Sequence, residues 1–118
     1  MILSLSLPKI MSEMTTAQIQ IIYPAEGSLI ISGGKLLDLQ VDLSLAVTHD
    51  CPPLSFHRIA LREKVWLRRI LAPLDEELGI GTQLALFSTQ ADESLDVAPE
   101  RELRTSIASI LKQVDPWS

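Results

Sequence analysis

The sequence predicts a single α+β domain with the element order β-β-β-α-β-α, in which two helices cover one face of an antiparallel sheet. Three observations lead there. Leu37, Leu39, Val41, Leu43, Leu45 and Val47 take every second position, with Asp38, Gln40, Asp42 and Ser44 between them, which is the period of a strand with one buried and one wet face. Gly33 and Gly34 stand between the run "SLIIS" and that strand, where a tight turn needs residues that accept positive φ. Two segments of the second half, "HRIALREKVWLRRIL" and "RELRTSIASILKQV", carry apolar residues at helical spacing, and a sheet with one wet face needs such a cover on the other.

Taken in order, residues 1–16 are set apart as a leader or flexible segment. Met11 and Met14 offer later starts, and "MILSLSLPKI" lacks the basic head and small-residue cleavage site of a signal peptide. The competing reading is a short edge strand, since Leu3, Leu5 and Leu7 alternate with Ser4 and Ser6. The domain proper then spans residues 17–118. "QIQIIY", "SLIIS" and the alternating strand read as a three-stranded antiparallel meander over residues 17–48, with "PAEG" as punctuation. From His57 to Leu71 the first helix is expected, ending near Pro73. Ile59, Trp66, Leu67, Ile70 and Leu71 share a broad face, although Leu61 and Val65 fall on the other side and "LSFHRIAL" also fits the start of a strand. "TQLALFS", after Gly79 and Gly81, suits a buried strand. The last helix is predicted from Leu103, Ile107, Ile110, Leu111 and Val114, with Pro99, Glu100 and Glu102 at its start and Pro116 stopping it.

Composition narrows the function classes. With 118 residues the chain can bury a core without metal or disulfides. A net charge of -5 repels phosphate backbones at long range, which argues against nucleic acid as the partner. The single cysteine cannot close an internal disulfide and fits a reducing compartment, which points to the cytoplasm. No segment approaches the roughly 20 apolar residues of a membrane span.

Catalytic constellations are sparse. His49, Cys51 and His57, with Asp50 in reserve, are legitimate ligands for zinc, but Pro52 and Pro53 stiffen the segment and no second ligand pair follows. A Cys51 nucleophile with a His57 base is the matching thiol reading. Two-metal nuclease chemistry needs carboxylates converging from separate strands, and neither "QIQIIY" nor "TQLALFS" contains one. "SGGK" lacks the remainder of a phosphate-binding loop. Asp38 and Asp42 are assigned to the wet face of their strand.

The remaining feature is basic. Arg58, Arg62, Lys64, Arg68 and Arg69 crowd one segment around Trp66, and in a helix Arg58, Arg62 and Arg69 share a stripe. Tryptophan and arginine are the residues most enriched at binding hot spots. The sequence therefore points to a small non-catalytic protein-binding or assembly factor acting through Arg58, Arg62, Trp66 and Arg69, with no cofactor. Its partner is another protein, a second copy of itself included. The alternatives are a metal- or thiol-dependent enzyme centred on His49, Cys51 and His57, and phosphate or nucleic-acid binding by the basic helix.

Overall fold

The computed structural model describes residues 1–43 and 54–111, and within them the chain forms ten strands and no helix. The strands are β1 (Ile2–Ser6), β2 (Thr16–Ile22), β3 (Leu29–Ile30), β4 (Lys35–Asp42), β5 (Leu54–Leu61), β6 (Val65–Ile70), β7 (Leu78–Gly79), β8 (Gln83–Ser88), β9 (Arg101–Glu102) and β10 (Thr105–Ile110). They make two five-stranded sheets, ordered β3-β6-β8-β1-β9 and β10-β5-β4-β2-β7. Pairing is antiparallel except between β1 and β9. Inward side chains of both sheets join one core: Leu3, Leu5, Leu67 and Phe87 from the first, and Ile19, Leu37, Leu39, Val41, Ile59 and Leu61 from the second. Each sheet thus covers the other, as in a sandwich.

The expected α+β class is therefore corrected to all-β. The segment expected as the first helix is β5, a turn at Arg62–Lys64, and β6. Inward positions His57, Ile59 and Leu61 are spaced by two, and so are Val65 and Leu67. Arg68 is then the extra residue of a bulge, which shifts the later apolar residues by one and mimics a helical face. The expected last helix is β9, a link, and β10, with Thr105, Ile107 and Ile110 supplying β-branched side chains to a strand. The meander is corrected as well: β2 pairs directly with β4, while β3 leaves to join β6 in the other sheet. Residues 1–16 contribute β1, which lies between β8 and β9 with Leu3 fully buried.

Gly33 and Gly34 consequently serve a crossing between sheets rather than a two-residue hairpin. Gly33, at φ 90°, donates its N–H to the Leu61 carbonyl at 2.6 Å, and the Leu61 N–H returns to the Gly34 carbonyl at 2.9 Å. A Cβ on Gly34 would stand 2.8 Å from Ile30 Cγ2 and 3.0 Å from the Ile31 carbonyl oxygen. Gly34→Ala should therefore lower stability by about 1–3 kcal/mol, the usual range for overpacking. Urea unfolding checks this, and an unchanged midpoint would contradict the close approach.

Candidate binding edge and cleft

On the outer face of the second sheet, register does what the sequence alone does not display. Asp38 of β4 lies opposite Arg58 of β5 on one side and Ile21 of β2 on the other. Arg58 Nε donates to Asp38 Oδ1 at 2.8 Å and Arg58 Nη2 to Oδ2 at 3.2 Å. The Tyr23 hydroxyl donates to Asp38 Oδ2 and accepts from Arg58 Nη2 at 3.0 Å. Two cations flank the Tyr23 ring, with Arg58 Cζ 5.4 Å and Lys35 Nζ 5.7 Å from its centroid, within the range of cation–π attraction. Asp38, assigned from the sequence to a wet face, is in fact buried at 5% exposure.

Burial by itself would raise the Asp38 pKa, but hydrogen bonds from Arg58 and Tyr23 and the charges of Arg58 and Lys35 outweigh it, so the carboxyl is held below its ordinary value. The bond to Asp38 is the main cause that pushes the Tyr23 phenol up, and the same carboxylate raises Arg58. Asp38 stays ionised with both oxygens engaged, and Tyr23 stays protonated. The three form a fixed array of charge and not a proton carrier. Around them Ile21, Phe56, Ile110 and Leu111 complete a cleft of about 220 Å³. Its mouth is apolar, with Ile21 47% and Leu111 92% exposed.

The cleft opens beside β10, whose free edge can be read from backbone bonding. The Arg62 N–H donates to the Arg104 carbonyl at 3.0 Å, while the Leu61 N–H points the other way, to Gly34. Bonding direction alternates along a strand, so Ala60, Arg58 and Phe56 turn toward β10. Their partners Ser106, Ala108 and Ile110 turn toward β5. Thr105, Ile107 and Ser109 therefore present N–H and C=O groups outward, where no described strand takes them. The other three sheet edges are β3, β7 and β9, each of two residues. β10 has six, without charge or proline. Short, charged or proline-bearing edges protect against strand addition, and β10 has none of these defences. Its position is fixed at the near end by Glu63, which accepts two bonds from Arg101, at 2.7 and 2.8 Å, and the Arg104 N–H at 2.7 Å.

The residues singled out from the sequence are dispersed. Arg58 is in the cleft, and Arg62 is exposed in the β5–β6 turn. Trp66, half-buried opposite Ser88 and Leu29, and Arg69, exposed opposite Leu86, share the outer face of the other sheet. A single stripe does not form because the helix that would align them is absent. His49 and Cys51 lie outside the described residues. His57 points into the core opposite Leu39, 5% exposed, with Nε2 2.9 Å from Ser55 Oγ. Among the described residues no three His, Cys, Asp or Glu side chains gather as a metal site. Sequence reasoning missed Tyr23, Asp38 and the β10 edge. The available signal was an acid and an arginine on two strands that pair across one face.

Burial lowers the pKa of His57 below its ordinary 6.5. Below pH 6.5 the unfolded chain takes a proton that the folded chain refuses, so stability is full above that pH and falls as pH drops through it. Asp38 acts in a separate window: its folded pKa lies under 3.8, and its contribution is lost only below that value. His57→Gln should remove the first slope and leave the second, as thermal melts at a series of pH values would show. An unchanged slope near pH 6 would contradict a neutral buried His57. No protein-family model, curated protein or solved structure matches the chain.

Proposed function

We propose that the protein is a non-catalytic protein-binding module that receives a partner strand along β10 and seats that partner's side chains in the adjoining cleft. The observation that carries this reading is the outward row of backbone groups on Thr105, Ile107 and Ser109 in a six-residue uncharged edge. An added strand satisfies such groups, and pockets beside the edge select its side chains. Inside the cleft Arg58 is paired with Asp38, and Ile21, Phe56, Ile110 and Leu111 supply its apolar lining, so it favours a partner segment with apolar side chains. A reducing compartment, the cytoplasm, suits a chain with one cysteine, and no helix among the described residues is long and apolar enough to cross a membrane.

Random peptides displayed on phage and selected on the immobilised chain test the proposal. Extended sequences rich in β-branched and other apolar residues should be enriched. Their binding should be lost in Ile107→Lys and Ser109→Pro, and kept in Arg69→Ala on the other sheet. Absence of enrichment, or binding indifferent to the β10 changes, would overturn it.

A further inference from the structure

We propose that the strand received by β10 is β10 of a second copy, paired antiparallel about a twofold axis at Ile107. This rests on the strand-addition reading above and names its partner. In a continuous antiparallel sheet, opposed residues share a face and exchange bonds through their outward groups. β10 meets both conditions when Ile107 faces Ile107 of the second copy and Thr105 faces Ser109 of the second copy, because all three outward residues are odd-numbered. The register places no charge opposite a like charge, since Arg104 meets Ile110 and residues 105–110 are uncharged.

Packing supports the same partner. Ile107 lies opposite the fully buried Ile59, on the core side of the sheet, yet is 39% exposed because no described strand lies beyond it. Across the axis its Cα would lie about 5.5 Å from that of its counterpart, and each isoleucine would cover the other, extending the core through the interface. The pairing also closes on itself. Among the described edge strands only β10 is longer than two residues, and a twofold pairing uses that same edge on both copies, so it closes at two copies rather than growing. A single strand edge is small by the standard of stable interfaces, below about 1,200 Å², so the dimer should be weak and reversible.

Sedimentation of the full chain from about 1 to 500 µM, a span of weak association free energies, should show a reversible shift from monomer to dimer. Ile107→Lys and Ser109→Pro should stay monomeric at every concentration with the folded far-UV spectrum retained. In a Cys51→Ser background, Ile107→Cys should form a covalent dimer under mild oxidation, since a Cα separation of about 5.5 Å lies within disulfide reach. A chain monomeric throughout, a dimer unaffected by both edge variants, or an Ile107→Cys chain that does not couple would overturn the proposal. If the chain is monomeric but still takes peptides in a β10-dependent way, the second copy is excluded and strand addition stands. If neither occurs, both fail.

Discussion

Phe87→Ala should lower stability by about 3–5 kcal/mol, the range for truncating a buried aromatic side chain. Phe87 is fully buried in β8, where it opposes Leu3 of β1 and Leu67 of β6. It sits at the middle of one sheet and packs in the core shared with the other, so the cavity opens between the two layers. Against a net stability of about 5–15 kcal/mol for a domain, the change removes a large fraction of the total. Urea unfolding with Leu111→Ala as control makes the comparison: Leu111 is 92% exposed, and its loss should shift stability by no more than about 0.5 kcal/mol. Similar midpoints for the two variants would contradict a core centred on Phe87.

Two neighbouring prolines should behave in opposite ways. Ala108 directs its backbone groups to Arg58 of β5, so Ala108→Pro removes a ladder bond and orphans a carbonyl, at a cost of about 1–3 kcal/mol. Ser109 directs its N–H outward, and proline is tolerated on an edge strand at such a position. Ser109→Pro should therefore change stability by less than about 1 kcal/mol while abolishing strand addition. Thermal melts read the first effect and binding or sedimentation the second. Equal destabilisation by both would contradict the bonding directions deduced for β10.

The strands were legible where residue types alternated or where a short apolar run stood between turn signals. The alternation from Leu37 to Val41 is β4 and the run "QLALFS" is β8, while the alternation of Leu3 and Leu5 with Ser4 and Ser6, which gave only the competing reading to a leader, is β1. The helices were misread for two separate reasons. In β5–β6 the period of two is interrupted by the Arg62–Lys64 turn and reset by the bulge at Arg68, so the summed pattern resembles a broad helical face. The segment after Pro99 is a different case. Leu103 is buried, but Ile107 and Leu111 are exposed, and an edge strand with little burial on either face carries no strict alternation. Its identity is settled by pairing with β5, a tertiary event that outweighs local propensity.

The candidate site was less legible than the fold. Asp38 and Arg58 are visible as residue types, but their meeting depends on the β4–β5 register. Tyr23 follows a β2 strand that has already shifted register once, between Ile19 and Ile21. A free edge is a property of which strands pair, and no residue pattern announces it. The histidines and cysteine that first draw attention are chemically conspicuous, yet His57 is spent on the core.

Residue-resolved amide exchange along β10 tests the central claim most directly. In dilute protein the amides of Ser106, Ala108 and Ile110 should be protected by β5, and those of Thr105, Ile107 and Ser109 should exchange freely. At high concentration, or with a bound strand peptide, the second set should gain protection while the first changes little. Protection of all six amides in the dilute monomer, or a complex that forms without slowing exchange at Thr105, Ile107 and Ser109, would contradict β10 as the receiving edge.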